Sequence, residues 1–165
     1  MSPFYRVLAY LLPVLALLVI VKGAYVRLSD AGLGCPDWPG CYGTLLVPKS
    51  AAEVTEQKHL DARPLETGKA WLEMIHRYLA SSLGALILLM AWFAWRNRAT
   101  PGQPTTVAYL LIPLVMFQGA LGMWTVTLLL KPLIVTAHLL GGITLLSLLA
   151  WNLAAVRSPR ATGDN

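Results

Sequence analysis

Two histidines, His76 and His138, fall inside two separate long apolar stretches of the chain. Only their neighbours Glu73 and Arg77, together with Lys22, place further charge within such stretches. Ionisable groups inside a lipid-spanning segment are costly and mark functional sites by default. An unligated imidazole there is costly too, because both ring nitrogens need partners. Two imidazoles facing each other across a helix bundle supply the axial pair that a heme iron takes. His76 lies six residues past Ala70 and His138 five past Leu133. At helical rise both sit roughly 8–9 Å below the start of their segments. One flat macrocycle standing between the two helices would take a bond from each.

The neighbours of these histidines extend the pattern. Ala80 and Gly84 follow His76 at helical spacing, Gly141 and Gly142 follow His138, and Gln118, Gly122 and Thr125 share a face of a third segment. Small residues make room for a cofactor, and they also let membrane helices pack closely. Glu73 lies one turn before His76 on the same face. A carboxylate there can hydrogen-bond, carry a proton, or steady a positive charge developing on a substrate carbon; its plain alternative is an ion pair with Arg77 or Arg27. Arg77 follows His76 directly and points about 100° away from it. Arg27 is placed to bind an anionic group such as a heme propionate, or to anchor the interface. Lys22 is expected to snorkel outward, and no chemical role is assigned to it.

The elements that must hold these residues are long helices. The chain has 165 residues, 56% of them hydrophobic and only 13% charged, with a mean hydropathy of +0.60. Soluble domains carry about 25% charge. The apolar residues come in blocks long enough to cross the bilayer. Four spans are expected, at about 7–26, 70–95, 107–128 and 133–156, forming an all-α, integral membrane four-helix bundle that makes up a single transmembrane domain over 1–165. The first span is too long for a signal peptide and lacks a small-residue cleavage pattern, so it is expected to stay uncleaved. Trp71 and Trp124 at one boundary, and Trp92, Trp95 and Trp151 at the other, read as aromatic belts.

Bases set the orientation. Arg6, Arg96, Arg98, Arg157 and Arg160 flank one end of the spans, with no acid near until Asp164. The positive-inside rule then places both termini in the cytoplasm. The long loop over 27–69 carries five bases against six acids and faces outward. The pI near 9.5 thus reports topology, and nucleic-acid binding is excluded as its explanation.

Both cysteines lie in that outer loop, in the run Cys35-Pro-Asp-Trp-Pro-Gly-Cys41. The outside is an oxidising compartment, where paired cysteines usually join, and Pro36, Pro39 and Gly40 favour a turn. A structural disulfide and a thiol pair that passes electrons both fit. Zinc is disfavoured, since two cysteines fall short of four ligands. Ser50 and Glu53 form a capping-box pattern for a short surface helix over 50–59, with His59 solvated among charges.

Three stretches carry a family resemblance: Gly23–Cys41 (GAYVRLSDAGLGCPDWPGC), Glu73–Arg77 (EMIHR), and Gln118–Pro132 (QGALGMWTVTLLLKP) ahead of His138–Gly142 (HLLGG). Together they resemble the heme A synthase family of cytochrome oxidase assembly enzymes, across all four spans and the outer loop. The resemblance implies a bacterial inner-membrane oxidoreductase that converts the methyl group of heme O, its substrate, to the formyl group of heme A through hydroxylated intermediates. It implies heme b as redox cofactor, His76 and His138 as iron ligands, Glu73 as the important carboxylate, and Cys35 and Cys41 as a disulfide. Arg27, Arg77 and Gln118 are the expected further cofactor contacts. Typical relatives carry two four-helix halves; this sequence resembles one, so a homodimer or a partner half is expected, with heme O synthase a further partner. The competing reading is a bis-histidine heme b protein that carries heme or electrons without oxidising heme O.

Overall fold

The structure is a computed structural model that describes residues 1–54 and 57–158. Four long helices dominate: α1 (Pro3–Leu28), α3 (Thr67–Arg96), α4 (Thr106–Thr127) and α5 (Pro132–Arg157). All four are long and apolar enough to cross a membrane. Between α1 and α3 lie a 3₁₀ turn (Ala51–Glu53) and the short helix α2 (Gln57–Ala62). No β-strand occurs among the described residues; Cys41 and Thr44 form an isolated bridge.

The long helices match the expected spans and exceed them at several ends. Prolines explain two of the starts. Pro3 and Pro132 occupy first-turn positions of α1 and α5, where a missing N–H costs nothing. Pro13 and Pro113 lie within α1 and α4 without ending them, as membrane helices allow when neighbours re-satisfy the backbone. The capping-box expectation fails. Ser50 makes no side-chain cap bond, and the Glu53 carboxylate instead accepts from the Lys49 N–H at 2.8 Å. The helix that forms begins later, at Gln57; Thr55 and Glu56 lie outside the described residues. His59 is half-buried rather than solvated.

Each long helix packs on two others, in the ring order α1, α3, α4, α5. This order makes α3 and α5 diagonal partners, and successive short connections make them parallel. One end of the bundle carries both termini and the connection from Asn97 to Thr105. The other, the loop end, carries the 29–66 loop and the turn after α4. The turn is tight: Leu129 and Leu130 adopt φ of 51° and 56°, a left-handed conformation that costs non-glycine residues about 1–2 kcal/mol each.

The core fills the terminal half of the bundle. Tyr5, Leu12, Ile87, Met90, Leu111 and Leu149 are fully buried there. Outside it, Phe4, Val7, Val14, Leu18 and Trp151 face outward, as apolar side chains do when lipid is the solvent. Trp71, Trp92, Trp95 and Trp124 are likewise exposed. A second, smaller core of Cys35, Cys41, Tyr42, Val47, Ala70 and Met74 packs the loop onto the start of α3. Tyr42 is its centre. Its hydroxyl donates to the Pro64 carbonyl at 3.0 Å, and burial pushes its phenol above the ordinary tyrosine range.

A buried polar staple closes the terminal end. The Tyr5 hydroxyl lies 2.6 Å from Asn152 Oδ1 and 2.9 Å from the Pro104 carbonyl, joining α1, α5 and the 97–105 connection. Tyr5 and Asn152 are both fully buried, and losing Asn152 leaves the Tyr5 hydroxyl with the Pro104 carbonyl alone. Asn152→Ala is expected to destabilise the bundle by about 1–3 kcal/mol, read as a lower unfolding midpoint in detergent. An unchanged midpoint would show that the staple contributes nothing.

Candidate functional site

The loop half of the bundle is hollow where the terminal half is packed. A cavity of about 590 Å³ lies among all four long helices. Its walls include His76, His138, Glu73, Arg77, Arg27 and Gln118, the full set of intramembrane and interfacial site residues expected from the sequence. The two histidines enter it from α3 and α5, which face each other across the ring order. Nδ1 of each ring is buried without a hydrogen-bond partner. The Val19 backbone of α1 approaches the His76 ring without a hydrogen bond to its Nδ1.

Glycines set the rings in place. A Cβ on Gly23 of α1 would lie 2.8 Å from His76 Cε1, and one on Gly122 of α4 would lie 3.5 Å from His138 Cε1. Each histidine is therefore backed by a glycine of the helix next to it. A Cβ on Gly141 would fall 1.8 Å from Gln118 Nε2, so the Gln118 amide lies directly on the α5 backbone. That nitrogen too is buried and unpartnered.

Glu73 and Arg77 have a second task. They form an ion pair on successive turns of α3. The other Glu73 oxygen accepts from the Cys35 N–H at 2.9 Å. The Arg77 guanidinium donates to the carbonyls of Gly40 at 2.6 Å, Asp37 at 3.0 Å and Pro39 at 3.3 Å. The pair thus clamps the Cys35–Cys41 loop to α3. The two sulfurs are joined in a disulfide, which closes that loop. Asp37 pins it from within, accepting from the Tyr42 N–H at 2.6 Å and the Gly43 N–H at 3.0 Å.

Arg27 contrasts with Arg77. It is exposed at the cavity mouth, and its side chain has no hydrogen bond or ion pair among the described residues. Lys22 lies outside this set: half-buried, its ammonium sits 5.3 Å from the Tyr25 ring, one turn toward the loop end. The wall residues not singled out from the sequence include Trp38 of the disulfide loop and Leu130 of the strained turn. Both sit where loops fold back over the cavity, and periodicity carries no signal for such contacts.

Similarity to known proteins agrees with this arrangement. The profile of the cytochrome oxidase assembly protein family matches residues 6–165. The heme A synthase of Shewanella oneidensis is 54% identical over 137 residues, covering 82% of this chain and 41% of its own length. The chain belongs to the heme A synthase family. The heme A synthase of Rhodospirillum centenum is 32% identical over 140 residues, covering 85% of this chain and 36% of that protein. That of Sphingopyxis alaskensis is 32% identical over 157 residues, covering 83% and 44%. The chain thus spans less than half the length of these relatives. Family membership and the four apolar helices make it a multi-pass membrane protein.

The clamp gives a direct expectation for family members that share it. Arg77→Met removes the guanidinium from four acceptors at once and leaves Glu73 buried without its cation. Amide exchange at Cys35 and along the Cys35–Cys41 loop is expected to accelerate by about tenfold or more, since lost charge-assisted bonds are worth about 1.5–3 kcal/mol each. Unchanged protection would show that the disulfide alone fixes the loop.

Proposed function

We propose that the chain is a heme-binding oxidoreductase of heme A biosynthesis, with His76 and His138 as the two axial ligands of one heme iron and heme O as substrate. The observation that carries this reading is the convergence of two imidazoles, each with a buried unpartnered nitrogen, on one cavity from diagonal helices. The donor set agrees. Among the described residues no cluster of three or more His, Cys, Asp or Glu could hold a bare metal ion. Two imidazoles suit an iron that arrives with four ligands of its own.

Heme b, when bound, would supply one-electron iron chemistry for oxidising the heme O methyl group, through hydroxylated stages, to a formyl group. The protein's own contribution is binding, orientation and charge. His76 and His138 would hold the heme iron. Arg27, exposed and uncommitted, is the cation for a propionate. Arg77 acts at one remove: its Nη1 bonds the loop carbonyls and its Nη2 bonds Glu73, so it positions Glu73 and Trp38. Glu73 lines the cavity with a carboxylate whose two oxygens are fixed by Arg77 and the Cys35 N–H. It is placed to hold a proton or to steady positive charge on the substrate carbon. Trp38 and Leu130 help to shut water out of the mouth.

The base-rich ends support a topology with both termini in the cytoplasm of a bacterial cell and the cavity mouth at the outer face of its inner membrane. A single histidine pair holds one heme. A second copy of this chain, or a partner half, would supply the site for the other, with heme O synthase delivering substrate.

Two measurements test this reading. Protein purified after co-expression with the enzyme that makes heme O is expected to yield heme A or its hydroxylated precursor on extraction and mass analysis; heme b or heme O recovered unchanged would make the chain a carrier. His76→Ala and His138→Ala are each expected to abolish bound heme, and equal heme in both variants would remove them as ligands. Glu73→Gln is expected to retain heme while lowering conversion by about a hundredfold or more. Full heme A yield in that variant would leave Glu73 with its loop-anchoring role alone.

A further inference from the structure

We propose that Leu45 and Leu46, at the tip of the turn that follows the disulfide, enter the acyl region of the bilayer at the loop end, held there by Tyr78, and so tether the disulfide loop to the membrane. This tether is independent of what the cavity binds.

The loop over 27–69 is rich in charge, yet residues 38–48, between Asp37 and Lys49, carry none. Tyr42 and Val47 of this stretch turn inward and are buried in the smaller core. Leu45 and Leu46, between them, do not join it. They are 77% and 65% exposed. An exposed leucine by itself carries no meaning. Two in succession, held out of a core that lies beside them, waste apolar burial in water and lose nothing in lipid. Depth decides between the two surroundings.

Tyr78 sets that depth. It is exposed on α3, and its hydroxyl donates to the Leu45 carbonyl at 2.6 Å. Arg96 ends α3 at the opposite face of the bundle, 18 residues further on, which is about 27 Å at helical rise. The hydrocarbon slab is about 30 Å thick. A helical side chain leans toward the N-terminus of its helix, so the phenol meets Leu45 at the outer edge of the slab. Backbone at that edge has little water to bond and must find partners within the protein. This turn has them. The Cys41 N–H donates to the Thr44 carbonyl at 2.8 Å and the Thr44 N–H to the Cys41 carbonyl at 3.2 Å. The Asp37 carboxylate accepts from the Tyr42 and Gly43 N–H groups. With the Cys41 carbonyl already served, the Thr44 hydroxyl is free to donate to the Leu46 carbonyl. Water would serve such outward carbonyls on a solvated loop; here two hydroxyls of the protein serve them. Lys49 follows, exposed, with an ammonium suited to lipid phosphates at the headgroup level. Arg77 holds Gly40, next to Cys41, so a tip fixed in lipid bears directly on the loop that carries Trp38 to the cavity mouth.

The test uses the full chain in lipid nanodiscs, with a nitroxide attached in turn through Leu45→Cys and Leu46→Cys. The native cysteines are joined and fully buried and take no label. Both labelled sites are exposed, so the label leaves the packing intact. Spin relaxation by oxygen, which partitions into lipid, is compared with relaxation by a neutral nickel chelate, which stays in water. Val14→Cys, on the outward face of α1, and Asp61→Cys, exposed on α2, set the two limits. Labels at positions 45 and 46 are expected to give an oxygen-to-nickel ratio severalfold above that at position 61, on the side of position 14. Tyr78→Phe removes the phenol and is expected to lower the ratio at position 46 severalfold while position 14 stays unchanged. A ratio at both leucine sites equal to that at position 61 would put the tip in water and overturn the proposal. Low accessibility to both reagents would show another polypeptide covering the leucines and overturn it equally. An unchanged ratio in Tyr78→Phe would strike Tyr78 from the tether.

Discussion

An imidazole nitrogen buried between membrane helices has no water to bond to, so its partner must come from the fold or from a guest. His76 and His138 meet that condition on diagonal helices, and among the described residues Nδ1 of neither has a hydrogen-bond partner. Several features of the loop half follow from this one constraint. Gly23 and Gly122 stand where a larger residue would push the rings aside. Small residues on all four helices keep the space between the rings open, while the large residues of the core gather at the terminal end. The bundle is a packed half that provides stability and a hollow half that provides chemistry.

The hollow half needs a roof that lipid-facing helices cannot provide. Here the charges of α3 act twice. Glu73 and Arg77 neutralise each other, which lowers the cost of placing both near the bilayer. Their remaining bonding capacity goes to backbone groups of the Cys35–Cys41 loop. The disulfide shortens the loop, and Asp37 fixes its interior through the Tyr42 and Gly43 N–H groups. Trp38 is thereby held at the cavity mouth. Arg27, exposed at the cavity mouth, has no such commitment among the described residues.

The sequence reading succeeded where one physical rule dominated. Hydrophobic blocks placed the four helices because bilayer thickness sets their length. His76 and His138, expected at equal depth, line one cavity, as parallel helices of fixed rise allow. It fell short where long-range contacts decide. Arg77 was expected among the cofactor contacts, and only the folded path of residues 37–40 shows its bonds to the loop. The Ser50–Glu53 pattern is a local signal that the backbone declined, since Glu53 found the Lys49 N–H instead. Leu130 and Trp38 reach the cavity through turns with no periodicity to read.

The site also has an internal symmetry that the linear order conceals. The α1–α3 pair supplies a glycine-backed histidine, Gly23 behind His76; the α4–α5 pair supplies another, Gly122 behind His138. The adjacent pairs α1–α3 and α4–α5 pack across the cavity through the two remaining seams. A ligand bound equally from both sides must itself be flat and accept the same donor on each face, as a metallated macrocycle does. The two pairs differ in what surrounds the rings. α3 adds a carboxylate and a guanidinium that tie down the loop, and α4 adds the Gln118 amide. On the proposed reading the symmetric part would hold the iron, and the asymmetric part would distinguish the two sides of the site.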